Sequence, residues 1–302
     1  MVPKVEAGLE RGLAPTDSTS LFVPGPRPPY PRAVPAQFTI LGSGSGGNCA
    51  YLEVGETRLL IDAGFSARQI RERLASIGRA PEGLTGILVT HEHGDHIQGL
   101  GTLCAKTGAR IFANRFTREA IQEAFPGVGF SFSVFETGST FSVGDVEVDA
   151  FSVPHDAMDP VGFLLRTAAG NFGFLTDLGH ATRLILERVR PANVLVLESN
   201  HDVKLLQDDT RRPWSLKQRI LSRHGHLSND AAAAVAEELA ADHLHQIYLG
   251  HLSRDCNRPE LARKTVGTRL TSIGATHIRL GDTSQDAPCA TVHLEAGIPQ
   301  IR

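Results

Sequence analysis

The 302-residue sequence contains only 4 cysteines, and no two of them form a Cys-x-x-Cys pair. This excludes a dense disulfide framework and predicts small buried thiols of a reducing compartment. The sequence also has no apolar run long enough to span a bilayer, and its first residues lack the apolar core of a secretory signal. We therefore expect a cytoplasmic protein that does not bind a membrane.

The charge balance is also unremarkable, with a formal net charge of -3 at pH 7. This argues against a broadly cationic surface but leaves room for nucleic acid, because a local groove of Arg and Lys would be enough to bind it. The hydrophobic fraction of 41% and charged fraction of 21% are ordinary for a soluble globular protein. A chain of this length can bury a large core.

Proline is concentrated near the start of the chain, at Pro24, Pro26, Pro28, Pro29, Pro31 and Pro35. Proline removes backbone donors and disfavours helix, so residues 1–36 are predicted to be a disordered, Pro-rich leader. Residues 37–302 are predicted to form one domain.

Beyond the leader, short apolar runs typical of strands alternate with segments of helical periodicity. The predicted strands cover 38–41, 50–54, 57–62, 86–89, 110–113, 146–152, 172–175, 194–197 and 247–249. The predicted helices cover 66–77, 99–107, 117–124, 182–189, 213–222, 229–241 and 259–272. Sheets followed by helices, twice over, predict two halves that pack sheet to sheet with helices outside.

The most informative segment is Thr90-His91-Glu92-His93-Gly94-Asp95-His96, which directly follows the strand at 86–89. A lone histidine is usually a surface residue or a hydrogen-bonded core residue. Here three imidazoles and a carboxylate fall within six positions, and these groups are ligands of divalent zinc, manganese or iron. The segment therefore predicts a metal site.

Three further candidate ligands follow predicted strands. They are His155, Asp177 and His251. Each alone is compatible with an exposed loop residue, but strand ends are where a sheet presents side chains to an active site. Together with the first segment they supply enough ligands for a pair of adjacent metals.

The motif HxHxDH followed by these three residues resembles the metallo-β-lactamase superfamily of dinuclear hydrolases. Several stretches are similar to its YycJ/WalJ-like (VicX) group: LGSGSGGN at 41–48, LIDAG at 60–64, LESNHD at 197–202, SLKQRI at 215–220 and HGHLSN at 224–229. The resemblance implies an α/β fold, the four-layer αββα sandwich. It also implies a metal-dependent phosphodiesterase that acts on nucleic acid, specifically a 5′→3′ exonuclease on DNA.

Carried onto this sequence, the resemblance implies two divalent ions, zinc or manganese, with iron as an alternative. His91, His93 and His155 would hold one ion, and Asp177 would bridge both. The residues implied for the other ion are Asp95, His96 and His251. Asp62 would support the ligand loop through hydrogen bonds without binding metal. Two such ions activate a shared water as a metal-bridged hydroxide.

The departing alkoxide still needs a proton, and His226 resembles the histidine that supplies it in related tRNA-processing endonucleases. Glu198 resembles its acidic partner, and the alternative for His226 is a residue that simply precedes a helix. Asp95, His226 and Glu198 are thus the predicted catalytic residues.

The predicted substrate contacts are Ser45, Asn48, His224 and Ser228. The glycine-rich loop that holds the first two can bind phosphate, brace the metal loop or be a plain turn. A basic segment, Arg211, Arg212, Lys217, Arg219 and Arg223, can follow a phosphodiester backbone, with Trp214 stacking on a base, or form a solvated helix face.

Two other functions remain open on the sequence. A thioester or lactone hydrolase of the glyoxalase II type would use the same scaffold, because a dinuclear site does not choose its substrate. A non-catalytic regulatory protein would keep the fold, but we expect it to lack ligands, and none is missing here.

Overall fold

The computed structural model describes Ser20–Leu21 and residues 34–301. Its strands are β1 (Ser20–Leu21), β2 (Ala36–Gly42), β3 (Cys49–Val54), β4 (Thr57–Ile61), β5 (Gly86–Leu88), β6 (Arg110–Asn114), β7 (Phe132–Phe135), β8 (Thr140–Val143), β9 (Val146–Ser152), β10 (Val161–Thr167), β11 (Gly170–Leu175), β12 (Val194–Glu198), β13 (Gln246–Gly250), β14 (Arg279–Asp282), β15 (Val292–Glu295) and β16 (Ile298–Ile301). Its helices are α1 (Ala67–Ser76), α2 (Gly94–Ile97), α3 (Leu100–Thr107), α4 (Arg115–Ala124), α5 (Arg183–Val189), α6 (Val203–Asp208), α7 (Trp214–Ile220), α8 (Asn229–Leu239) and α9 (Pro259–Ser272).

The strands form two mixed sheets. The first sheet has the order β1-β7-β6-β5-β4-β3-β2-β15-β16, and the second has the order β14-β13-β12-β11-β10-β9-β8. In the first sheet, β4, β5 and β6 run parallel to one another. In the second sheet, β11, β12 and β13 do the same. Each sheet is therefore part hairpin and part parallel crossover, and the crossovers place helices on its outer face.

The layers follow from the alternation of side chains along the strands. Val194 and Val196 of β12 face the other sheet and belong to the inter-sheet core. Leu195 and Leu197 between them belong to the layer that packs against helices. Successive side chains of a strand point to opposite faces, so a continuous apolar run is buried on both. The predicted αββα sandwich is confirmed.

The outer helices pack on apolar side chains of both sheets. Ile70 of α1 and Leu103 of α3 lie on the first sheet, and Ala232 of α8 and Val266 of α9 lie on the second. Ser66 caps α1 with a complete capping box, which agrees with the predicted start of this helix. In the described part of the chain, no helix has the length and apolarity needed to cross a membrane.

The parallel strands of the second sheet end at a common edge. Leu175 of β11 is level with Leu197 of β12, and Glu198 is level with Gly250 of β13. β9 runs in the same direction as β11, because each is antiparallel to β10 between them. The segments that follow these strands therefore emerge together, as the strand-end argument predicts.

The sequence-based prediction missed several short elements. These are α6 and the C-terminal strands β14, β15 and β16. Each has only four to six residues, too few to establish a period. Within the predicted leader, β1 pairs in parallel with β7, and Ala36 already begins β2. Residues 1–19 and 22–33 of that leader lie outside the described residues.

The inter-sheet core gives a first test of this architecture. Phe163 of β10 is fully buried there. We expect Phe163→Ala to lower the free energy of unfolding by about 3–5 kcal/mol, because it leaves a cavity in a packed core. Phe116→Ala on α4 is the control, since this ring is 44% exposed; we expect a change of about 1 kcal/mol or less. Denaturant unfolding measures both, and equal losses would contradict the layer assignment.

Candidate metal centre

The HxHxDH segment forms a tight loop and one helical turn after β5. His93 is the N-cap of α2, so Asp95 and His96 lie on the first turn of this helix. The rings of His91 and His93 have centroids 4.6 Å apart, and those of His91 and His96 are 4.1 Å apart. The strand fixes where the loop begins, and the turn brings its second half back towards the first.

The remaining predicted ligands join this loop in two overlapping groups. In the first group, His93 Nδ1 lies 3.0 Å from His91 Nε2 and 3.3 Å from His155 Nε2. The second group consists of Asp95, His96 and His251. Its Asp95 Oδ2 lies 3.7 Å from His96 Nε2 and 3.4 Å from His251 Nε2. Every predicted metal ligand is thus brought to one place.

Asp177 stands between the two groups. Its Oδ2 lies 3.1 Å from His96 Nε2, and its Oδ1 lies 3.8 Å from His155 Nε2. Asp177 Oδ2 is buried and, within the described residues, has no hydrogen bond of acceptable geometry. A carboxylate oxygen in this situation needs a cation, because an unpaired buried charge is costly.

Four histidines are oriented by hydrogen bonds at their outer nitrogens. The outer contacts are His96 Nδ1 to Asp62 Oδ2 (2.8 Å), His251 Nδ1 to Glu198 Oε1 (2.8 Å), His155 Nδ1 to the Gly225 carbonyl (3.1 Å) and His91 Nδ1 to the Thr90 hydroxyl (3.0 Å). Carboxylate and carbonyl oxygens only accept, and the Thr90 hydroxyl itself donates to Asp62. Each Nδ1 must therefore carry the hydrogen. The Nε2 lone pairs are left to face the centre.

The electrostatics of the centre also suit a divalent ion. Burial lowers the pKa of His91 well below its usual value, and the charge of His96 lowers it further. Burial alone would raise the pKa of Asp177, but His251 and His96 hold it well below its usual range. Burial alone would lower the pKa of His96, but Asp177 and Asp62 raise it well above 6.5. Neutral imidazole and ionised carboxylate are the forms that bind metal, so an ion at His96 must displace a proton.

The donor set as a whole fits a divalent cation such as zinc, manganese or iron. Imidazole nitrogens and carboxylate oxygens are the ligands that these ions share. The second layer of hydrogen bonds around them is the arrangement that orients ligating histidines in metalloproteins. The orphaned oxygen of Asp177 supports the same conclusion.

His226 and Glu198 form a hydrogen-bonded pair beside the centre. His226 Nδ1 lies 2.7 Å from Glu198 Oε1, and its ring centroid lies 5.1 Å from those of His155 and His251. Burial would raise the pKa of Glu198, but His226 and His251 lower it to about 2. Burial would lower the pKa of His226, but the charge and hydrogen bond of Glu198 raise it above 6.5. The contact with Glu198 therefore favours the protonated form of the imidazole.

The predicted substrate contacts divide into two pairs. Ser45 and His224 line the cleft above the metal ligands. Asn48 does not: it is buried, and its side-chain amide lies 3.1 Å from His96 Nε2 and 3.4 Å from Asp95 Oδ2. Ser228 does not either, because its hydroxyl caps α8. Of the alternatives left open for the glycine-rich loop, Asn48 therefore fits the one in which it braces the ligand loop, and Ser228 begins a helix instead of lining the cleft.

The basic segment is mostly engaged within the protein. Arg211 and Arg212 pair with Asp209 and Asp255. Lys217 is buried, and its ammonium donates to the Gln207 carbonyl. Two further arginines of the segment, Arg219 and Arg223, are exposed, and Trp214 at the start of α7 is 59% exposed. A continuous cationic track over all five residues is not present.

Two residues that hold the centre together were missed by the sequence analysis. The Ser43 hydroxyl accepts a hydrogen bond of 2.8 Å from the His251 amide. The Asn200 side chain donates to the His251 carbonyl at 2.8 Å. Both lie in stretches that the resemblance had already marked, at 41–48 and 197–202, but only the tertiary structure shows that they meet at His251.

Gly64 allows the ligand loop to approach the preceding strand segment. A Cβ at this position would lie 1.6 Å from the Asp95 carbonyl oxygen. The Asn48 amide donates to that same carbonyl at 2.8 Å, and the Gly64 amide donates to the Asn48 carbonyl at 2.9 Å. Three segments are therefore in backbone contact here, with no room for a side chain.

Comparison with known proteins agrees with these features. The sequence matches the beta-lactamase superfamily domain over residues 57–251. It is 39% identical over 256 residues to the exodeoxyribonuclease WalJ of Streptococcus pneumoniae serotype 2 (strain D39 / NCTC 7466), covering 83% of this chain and 95% of that protein. It is 38% identical over 238 residues to the exodeoxyribonuclease YycJ of Bacillus anthracis, covering 78% of this chain and 90% of that protein. The solved metallo-β-lactamase fold protein YhfI from Bacillus subtilis superposes with a TM-score of 0.66 and 16% identity, covering 85% of this chain and 99% of that chain.

The close approach at Gly64 leads to a prediction about metal uptake. We expect Gly64→Ala to displace the ligand loop and to reduce bound metal about tenfold or more. Mutation of residues that hold metal ligands in place typically lowers metal affinity by about 10–100-fold. Gly94→Ala is the matched control within the loop, because a Cβ there meets nothing within 4 Å. Metal content after equilibrium dialysis measures both. Equal metal content in the two variants would show that the contact at Gly64 does not matter.

Proposed function

The chain belongs to the metallo-β-lactamase superfamily and to its YycJ/WalJ group, and from this we infer that it is a metal-dependent exonuclease acting on DNA. The observation that carries the inference is 38–39% identity, over most of the chain, to proteins named exodeoxyribonucleases. The resemblance noted in the sequence is thereby confirmed. The convergence of the candidate ligands supports a hydrolase that works with divalent metal.

We assign the metal ligands by the two groups of facing donor atoms. His91, His93 and His155 would hold one ion, and Asp177 would contact both ions. The ligands assigned to the second ion are Asp95, His96 and His251. Zinc and manganese are the proposed metals, with iron as the alternative. Such a pair of ions, when bound, activates water and neutralises the charge that develops on a phosphodiester.

We assign His226 as the residue that donates a proton to the leaving oxygen. Its Nδ1 is held by Glu198, so Nε2 is the nitrogen that can donate to a departing group. The contact with Glu198 raises the pKa of His226 and so favours the protonated imidazole, which is the form that a general acid requires. Glu198 is the positioning residue, since its Oε2 also accepts from the Leu178 and Leu227 amides.

The same pair argues against a thioester hydrolase. A thiolate has a pKa near 8.5 and leaves without protonation, whereas a sugar alkoxide is far more basic and needs a proton donor. A proton donor such as His226, positioned by the buried Glu198, is needed only when the leaving group is the more basic alkoxide. We propose that the enzyme degrades DNA in the 5′→3′ direction.

The function is tested with DNA strands labelled separately at each end. With manganese or zinc, we expect the 5′ label to be released first while the 3′ label passes through progressively shorter strands. Asp95→Asn should abolish this degradation, because it removes a ligand charge. Asp208→Asn is the control, since Asp208 is exposed and, among the described residues, its side chain pairs with Lys204 alone. Intact strands with the metal-loaded wild type, or full activity of Asp95→Asn, would contradict the proposal.

The role of His226 leads to a test based on the leaving group. We expect His226→Ala to lower kcat on DNA by about 10²–10⁴-fold, the usual contribution of a general acid. On bis(4-nitrophenyl) phosphate the loss should be much smaller, because 4-nitrophenolate leaves without a proton. Steady-state kinetics on both substrates measures the difference. Equal losses on both would assign His226 to metal binding or structure instead.

A further inference from the structure

The open side of the cleft is formed by α7 and by the loop that follows His155. Asp156, Leu216 and Arg219 line this side, whereas the metal ligands lie deeper. Arg219 Nε lies 2.6 Å from Asp156 Oδ2, and the two side chains are 61% and 53% exposed. An ion pair this exposed contributes little to stability, because water and salt screen it.

Arg219 is the sole lysine or arginine among the described residues that line the cleft. The same lining contains the carboxylates of Asp95, Asp156 and Asp177. A DNA strand that enters must bring its phosphates past these negative charges. Metal ions can compensate for charge at the ligands, but a phosphate at the mouth of the cleft needs a cation there.

We propose that Arg219 binds a phosphate of the DNA strand adjacent to the one at the metal centre. We further propose that Asp156 occupies the guanidinium in the free enzyme and competes with the phosphate for it. Both parts rest on the proposed function, since they assume that DNA is the substrate. Phosphate and carboxylate present similar oxygens to an arginine, so one can substitute for the other.

The geometry favours an adjacent phosphate over the reacting one. The cleft has a volume of about 270 Å³, small for a ligand pocket. The ligand atoms of His91 and Asp177 are buried, whereas Arg219 is at the exposed mouth. A strand whose reacting phosphate reaches the ligands therefore continues outward past α7.

The donors of Arg219 are available for this contact. Its Nε is engaged by Asp156, and its two terminal amino groups have no hydrogen-bond partner among the described residues. Those groups form a planar fork that matches two phosphate oxygens. Of the other cations of the basic segment, Arg211, Arg212 and Lys217 are bonded elsewhere, and Arg223 is exposed but does not line the cleft.

The test compares Arg219→Gln with Arg68→Gln in the metal-loaded enzyme. Arg68 is the matched control, because it forms an exposed pair of the same kind, with its Nε 2.8 Å from Glu72, on α1 outside the cleft lining. We expect Arg219→Gln to raise KM for single-stranded DNA about tenfold, the value of one charge-assisted hydrogen bond. We expect kcat to change by less than about twofold, since an adjacent phosphate is held alike before and during reaction.

Two further measurements identify the contact as one to phosphate. Fluorescence anisotropy at several salt concentrations measures how tightly Arg219→Gln binds a phosphorothioate oligonucleotide. Compared with the wild type, the slope of log K against log salt should be smaller in magnitude by about 0.7. Kinetics on bis(4-nitrophenyl) phosphate should not change, because this substrate has no adjacent phosphate. Arg219→Lys keeps the charge but lacks the planar fork of amino groups. Its KM for single-stranded DNA should therefore fall between those of the wild type and Arg219→Gln.

A double-mutant cycle tests the role of Asp156. If Asp156 acts by occupying Arg219, Asp156→Asn should lower KM severalfold in the wild type and have no effect in Arg219→Gln. If the same gain persists in Arg219→Gln, Asp156 acts only through its own negative charge, and its proposed role is overturned.

The outcomes separate this inference from the proposed function. A wild-type enzyme that leaves DNA intact overturns the function itself. A wild type that degrades DNA, with Arg219→Gln indistinguishable from Arg68→Gln, overturns only the phosphate contact. If Arg219→Gln loses activity equally on DNA and on bis(4-nitrophenyl) phosphate, Arg219 contacts the reacting phosphate. That result would overturn the proposed contact with the adjacent phosphate.

Discussion

The hydrogen bonds at the outer nitrogens of four of the five candidate ligand histidines are the constraint on which this site depends. An imidazole has two nitrogens, and the one that donates outward determines which one faces inward. Asp62, Glu198, Thr90 and the Gly225 carbonyl provide these acceptors from four different segments. Such an arrangement is possible only where several strands end at the same edge, and the parallel register of both sheets supplies that edge.

The backbone at this edge is itself unusual. Asp62, Asp177 and His251 each follow a strand and have φ values of 60°, 57° and 54°. Such left-handed conformations are disfavoured for residues with a Cβ, at about 1 kcal/mol or more each. They turn the chain sharply at the strand end and direct each side chain into the centre. The cores on either face of each sheet hold them in place, since the last three residues of each strand leading to them are buried.

The sequence was sufficient to predict the layers and the convergence of the candidate metal ligands, for different physical reasons. The layers follow from apolar periodicity, and the ligands follow from residue type and order. The roles of Asn48 and Ser228 could not be predicted in the same way. A polar residue in a turn can face solvent, cap a helix or brace a neighbour, and only contacts distant in sequence decide. Asn48 lies against His96, 48 positions away, and no local pattern indicates this.

Glu198 connects the candidate metal ligands to the proposed general acid. Its Oε1 accepts from His251 and from His226, and its Oε2 accepts from two backbone amides. One buried carboxylate thus fixes the tautomer of a metal ligand and maintains the charge of the proposed acid. Because the acceptor is shared, a change in the charge of either imidazole alters the field at the other. The ability to hold metal and the ability to protonate a leaving group are therefore properties of a single network, which begins at the end of β12.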